Sequence, residues 1–128
     1  MRDTLKAFKV LSDETKMRIL NILLERECCV CEVTQALEIS QSKASRGLTA
    51  LCDAGYLQQR KDGLWSLYSI DNENISGYRL QLVEAVREAL KANKKIALDK
   101  ERLKKANRNN ARRHSRLGGD TVCQSNAT

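Results

Sequence analysis

The sequence predicts a mainly α-helical fold carrying one β-hairpin, and three observations carry that expectation. Proline is absent and glycine occurs only 6 times in 128 residues, so helices can run without interruption. Apolar residues recur at helical spacing through the first part of the chain. Past Gly55 the period changes to two, with Asp62-Gly63 between the alternating runs.

A chain of this length suits one domain of modest core, which a second subunit would help to complete. No apolar run reaches the roughly 18 residues of a membrane span. The opening "MRDTLKAFKVL" mixes charged with apolar residues, unlike a secretory leader. A cytoplasmic location away from membranes is therefore expected. In that reducing compartment the five cysteines read as ligands, redox thiols or buried fillers rather than disulfides. The net charge of +7 is unevenly spread: from Arg87 to Arg116, 12 Lys and Arg stand against 3 Asp and Glu. Such a segment suits a polyanion such as nucleic acid, and equally a solvated helix and tail.

"FKVLSDETKMRILNILLE" holds the first two helices, with Ser12 as the expected N-cap of the second and Met17, Leu20 and Leu24 at helical spacing. Val30, Val33 and Leu37 mark a short third helix. The fourth, "SQSKASRGLTALCDAGYL", separates into an apolar stripe (Ala44, Leu48, Leu51) and a polar one (Ser42, Ser45, Arg46, Thr49). Ser40 can cap its start and Gly55 stop it. Two short helices joined by about three residues, the second with a polar face, outline a helix-turn-helix. The alternation in "YLQQRKDGLWSLYSI", with Lys61-Asp62-Gly63 between its two runs, adds a basic-tipped hairpin, a wing. From about Glu73 a helical pattern returns with Ile75, Leu82, Val86 and Leu90. Its stripe has no later element to cover it, which argues for a helix of a second subunit.

The fold class expected is thus a dimeric winged helix-turn-helix. Residues 1–93 form its DNA-binding and dimerisation domain, and 94–128 a basic helical extension ending in a disordered tail. Gln41, Ser42, Lys43, Ser45 and Arg46 occupy the turns that would meet base edges and phosphates of double-stranded DNA. Arg and Lys suit guanine, Gln suits adenine, and Ser suits bases or backbone. Arg60 and Lys61 would let the wing reach phosphate or minor groove. Gly47 interrupts the helix at a cost of roughly 1 kcal/mol relative to alanine, a sign of close approach to DNA or of nothing in particular.

Cys28, Cys29 and Cys31 crowd three thiols into four positions at the head of the third helix. On a regular helix Cys28 and Cys31 lie on neighbouring faces, whereas Cys29 and Cys31 face apart. One ion could collect all three only if the first turn were non-helical or unwound on binding. Ligand binding would then be coupled to the helix that supports the recognition helix. Soft thiolates select soft ions, and the lone histidine, His114, lies far along the chain. Three sulfurs without a fourth local donor favour trivalent arsenic or antimony. Zinc or cadmium would need a further donor such as Cys52, Cys123, a carboxylate or another subunit. Simple filling is a poor account of the cluster, while Cys52, beside Leu48 and Leu51, suits the core. No histidine lies near the cluster to activate a nucleophile, so no enzymatic activity is expected.

Together "LSDETKMRILNILL", "CVCEV", "SQSKASRGLTALCDAGYL" and "RKDGLWSLYSI" resemble the arsenic-responsive repressors of the ArsR/SmtB family over about residues 5 to 90. The resemblance implies a winged-helix homodimer paired through its first and last helices. It would bind an inverted-repeat operator until a thiophilic ion enters, and repress a metalloid-resistance operon. Cys29 and Cys31 match the family's Cys-Val-Cys. The family's next cysteine falls at Thr34, so Cys28 is the nearest substitute, and its usual histidine after Ser-Arg is Gly47. Two other readings share the fold: a zinc or cadmium sensor, and a thiol redox switch in which Cys28, Cys29 or Cys31 is oxidised or bridged.

Overall fold

The computed structural model describes residues 1–73 and 75–108. Six helices and one hairpin follow in the order α1 (Arg2–Val10), α2 (Glu14–Leu23), α3 (Val30–Leu37), α4 (Gln41–Asp53), β1 (Leu57–Asp62), β2 (Trp65–Ile70), α5 (Tyr78–Ala89) and α6 (Lys94–Lys105). The mainly helical architecture with a hairpin after the fourth helix is that of a winged helix-turn-helix. Among the described residues no helix is long and apolar enough to cross a membrane.

The centre is built where α2, α3 and α4 meet. Ile19, Leu20 and Ile22 of α2, Val30, Val33 and Leu37 of α3, and Ala44, Leu48 and Leu51 of α4 share one buried cluster. Each large aliphatic chain taken from water contributes about 1.5–3 kcal/mol, enough to hold three short helices that would melt alone. Gly47 is buried against α2, where a Cβ would run into Ile19 Cδ1. The close approach it permits is to α2, not to DNA. α1 is fastened from the far side by the buried Tyr56 hydroxyl, which donates to the Ala7 carbonyl at 2.8 Å.

The helix ends follow side-chain chemistry. Asp13, not Ser12, caps α2, its carboxylate accepting from the Lys16 amide at 3.0 Å. Ser12 instead donates its hydroxyl to the Lys9 carbonyl at the end of α1. Ser40 caps α4 as expected, accepting from the Lys43 amide at 3.2 Å. Glu38 closes α3 in the left-handed region at φ 56°, and Glu38, Ile39 and Ser40 make the three-residue turn into α4.

The antiparallel hairpin pairs Leu57 with Ile70 through to Asp62 with Trp65. Lys61 and Asp62 therefore belong to β1, and the two-residue turn is Gly63-Leu64, with Gly63 at φ 64°. That is one residue later than the Asp-Gly signal suggested, and it matches turns that take glycine at their first central position. Beyond the hairpin, α5 starts at Tyr78 rather than near Glu73. Gly77 at φ 56° precedes it, and Ile75 is buried in the connecting loop.

The basic segment from Lys94 contains a docked helix. α6 runs back along α3 and buries Ile96, Asp99 and Leu103. Asp99 receives Arg18 through Nε and Nη2 at 2.9 and 2.8 Å and Arg102 at 2.9 Å. The same arginines donate to the carbonyls of Leu37 and Ala36, so α6 closes the C-terminal end of α3. The polar end of the chain, expected to be disordered, lies outside the described residues.

Candidate nucleic-acid interface and thiol site

α4 presents one face to solvent because the other is fixed by Ala44, Leu48 and Leu51. Ser42, Lys43, Arg46 and Thr49 are exposed, and Gln41 and Ser45 half-exposed. The five α4 residues proposed for DNA contact thus lie on accessible parts of its first two turns. In the hairpin, Lys61 is exposed. Arg60 is engaged: its guanidinium forms two 2.7 Å hydrogen bonds to the carboxylate of Glu27, which hold it fully protonated.

Helix geometry does not govern the cysteines as the regular wheel suggests. Cys29 is the N-cap of α3, with extended backbone at φ −87° and ψ 170°, so only Cys31 sits inside the helix. That break lets the Cys29 sulfur turn back onto Cys31. The two are joined as a disulfide with a Cα separation of 5.4 Å. They are 0% and 3% exposed, within the core cluster.

Cys28 belongs to different surroundings. Its backbone makes a two-way bridge with Tyr68 of β2, the Cys28 amide donating at 3.0 Å and the Tyr68 amide at 2.8 Å. Its buried sulfur lies 3.5 Å from the Arg26 carbonyl, and burial pushes the thiol pKa up to about 12. It is a neutral, weakly reactive group at neutral pH. Among the described residues no three His, Cys, Asp or Glu side chains are gathered so as to hold an ion. Cys52 is half-buried, and burial raises its pKa to about 11. Cys123 and His114 lie outside the described residues.

Two residues that sequence spacing did not single out organise this region. Glu32, in the first turn of α3, accepts the Cys29 amide at 2.9 Å and the Arg26 guanidinium at 2.8 Å. Arg26 also donates to the carbonyls of Leu103 and Ala106, at 3.1 and 3.0 Å, where α6 ends. The thiol loop, the head of α3 and the tail of α6 therefore share one guanidinium. The Glu32 signal was present as a capping-box position three residues after Cys29. The Arg26 partners lie far along the chain and leave no local trace.

A polar-faced second helix of a helix-turn-helix, followed by a hairpin beside it, defines the class of winged-helix DNA-binding regulators. Residues 13–59 match the bacterial regulatory protein, arsR family. The chain is 49% identical over 67 residues to an arsenic resistance transcriptional regulator of Pseudomonas putida, covering 52% of each. It is 42% identical over 83 residues to a cadmium resistance transcriptional regulatory protein homolog of Staphylococcus aureus, covering 64% of this chain and 65% of the other. It is 37% identical over 71 residues to the arsenical resistance operon repressor of Bacillus subtilis, covering 55% of this chain and 68% of the other. The matches thus span about half to two thirds of these relatives. Solved structures agree on the fold. HlyU of Vibrio cholerae, in its reduced form, superposes with a TM-score of 0.58 at 26% identity, over 69% of this chain and 88% of that one. The transcriptional repressor BigR of Xylella fastidiosa gives 0.59 at 24% identity, over 73% and 88%. The chain belongs to the ArsR family of bacterial regulatory proteins. Its relatives are transcriptional regulators, not enzymes.

Proposed function

We propose that this chain is a transcriptional repressor that holds operator DNA through α4 and the hairpin and lets go when the thiols of Cys29 and Cys31 bind trivalent arsenic or antimony. The observation that carries the reading is the proximity of those two sulfurs, paired as a disulfide and available as thiols once reduced, at the head of α3, one short helix and three residues away from α4. The likeness to arsenical resistance regulators supports the same assignment. Gln41, Ser42, Lys43, Ser45 and Arg46 supply donors suited to bases and phosphates, with Lys61 of the hairpin beside them.

A bound trivalent metalloid supplies three bonds to soft donors. Cys29 and Cys31 give two in the reduced protein, and Cys28 is the third once its backbone bridge to Tyr68 opens. That movement disturbs the N-cap of α3 and the edge of the hairpin together, which displaces the DNA-facing surface. Zinc or cadmium would take a fourth donor beyond the three cysteines, and the cadmium resistance relative supports that ligand class as an alternative. The pairing of Cys29 with Cys31 favours one other reading on its own account, release by thiol oxidation.

Homodimerisation fits the exposed apolar surface. Leu5 and Phe8 of α1 and Leu80 of α5 are 60%, 52% and 47% exposed, and Phe8 stacks on Tyr78 at 6.2 Å. Two copies pairing through α1 and α5 would cover these residues and present two α4 helices to an inverted repeat.

Gel retention of a duplex spanning the region upstream of the chain's own gene tests the reading. Reduced wild type should retain the duplex and lose about 5- to 150-fold in affinity with arsenite, the range of ordinary coupling energies. Cys29→Ser and Cys31→Ser should retain it in arsenite. Normal release of Cys29→Ser by arsenite refutes the assignment, and release of the wild type by peroxide but not arsenite establishes the oxidation reading instead.

A further inference from the structure

The lysines of this chain are not all answered by acids. On α6, Lys95, Lys100 and Lys104 pair with Glu14, Glu25 and Glu101. Among the described residues Lys6 and Lys9 of α1 and Lys16 of α2 form no ion pair. The three line one open cleft of about 270 Å³, together with Val10 of α1 and with Ala50 and Asp53 of α4. Three ammonium groups there face a single carboxylate. α1 supplies its two through a separate face of the helix. Ala7 and Val10 are buried, Leu5 and Phe8 make the exposed apolar face, and Arg2, Lys6 and Lys9 recur at i, i+4 and i+7 on a third. That cationic face leaves the one offered to a second subunit free to pair. Lys16 is seated against α4, its Cγ 3.8 Å from where a Cβ on Gly47 would stand. On α4 itself, Asp53 continues the polar stripe of Ser42, Arg46 and Thr49 at helical spacing. The cleft therefore closes the far end of the stripe whose beginning carries the residues proposed for DNA contact.

We propose that this cleft receives backbone phosphates of double-stranded DNA, beside the groove that α4 enters, through Lys6, Lys9 and Lys16. The inference rests on the DNA-binding reading above and adds a contact surface to it. From Arg46 to Asp53 the helix rises about 10 Å, close to the roughly 12 Å width of a major groove. With the first turns of α4 among the bases, the cleft stands at the sugar-phosphate wall. Lysine is a compact charge on a flexible stem, suited to phosphate rather than to base edges in a fixed frame. Its contribution is affinity without sequence preference. Asp53 acts in the opposite sense: its carboxylate repels the same phosphates and limits how tightly the cleft holds any duplex.

The test measures binding by fluorescence anisotropy across a salt series, on the upstream duplex and on a random duplex of equal length. Wild type is compared with Lys6→Gln/Lys9→Gln/Lys16→Gln, with the same three positions changed to Arg, and with Asp53→Asn. Circular dichroism checks that each variant folds. Each lost phosphate contact should flatten the slope of log affinity against log salt by about 0.9, giving about 2 to 3 for the triple Gln change, equally on both duplexes. The triple Arg change should keep the wild-type slope, because it keeps the charge. Asp53→Asn should tighten both duplexes by about 1.5- to 5-fold, the range of one exposed charge pair. A triple Gln variant with the wild-type slope overturns the proposal, and so does an Arg variant flattened as much as the Gln one, which would place the lysines in packing. A wild type that binds neither duplex at the lowest salt refutes the DNA-binding reading and the cleft with it. One that binds both alike, with a slope that falls in the Gln variant, supports the cleft while denying operator preference.

Discussion

Gly47 and Cys29 show how single residues set the geometry around them. At Gly47 the absence of a side chain lets α4 lie against Ile19 of α2, a fully buried neighbour. Alanine there gains about 1 kcal/mol in helix propensity but forces an overpacked core, which costs about 1–3 kcal/mol. Gly47→Ala is therefore expected to be destabilising by up to about 2 kcal/mol, read as a lower urea midpoint with an unchanged slope. An increase in stability would show that Ile19 can swing aside without loss. Cys29 teaches the complementary lesson. The sequence marks where α3 begins only to within a residue or two, and one residue of difference converts two sulfurs facing apart into two that meet. The expected obstacle to bringing Cys29 and Cys31 together vanishes because an N-cap residue is extended, not helical.

Among elements, α2, α3, α4 and the hairpin were legible from apolar spacing and turn residues, whereas α1 lies mostly ahead of the stretch read as the first helix and the cap of α2 falls one residue later than expected. α6 was legible as a helix but not as a docked one. Its buried anchors Ile96, Asp99 and Leu103 are scattered among lysines, and the acid at its centre meets Arg18, a partner 81 positions away. No local pattern announces such a pair. Asp99 is fully buried, with Arg18 and Arg102 only slightly to moderately exposed. Removing a buried partner leaves its counter-charges uncompensated, and the partial exposure of the arginines places the effect near the lower end of the usual range. Asp99→Asn is expected to cost about 3 kcal/mol and to speed trypsin cleavage after Lys100 and Lys104. Unchanged cleavage would mean that the apolar contacts of Ile96 and Leu103 hold α6 unaided.

For the whole molecule, the outer face of α1 and α5 carries exposed apolar side chains. Leu5, Phe8 and Leu80 are exposed although the core beneath them is closed, and they are the surface the proposed dimer would cover. The double change Phe8→Glu/Leu80→Glu should convert a dimer into a monomer in sedimentation velocity while leaving the helical content intact. A wild type that sediments as a monomer at micromolar concentration would remove that interface. The apolar stripe expected to need a second subunit, Ile75, Leu82, Val86 and Leu90, is instead taken up within the chain, with Ile75 and Val86 buried and Leu82 and Leu90 packed against the core. Spacing identifies an apolar face, and only packing decides which part of it is left over.

The seclusion of Cys29 and Cys31 sets a tempo. A reagent in solution meets these sulfurs only in molecules that have momentarily opened, so raising its concentration accelerates their modification until the frequency of opening becomes the ceiling. Exposures much briefer than one such interval modify only the few molecules that happen to open, so these sulfurs register sustained exposure more than short pulses.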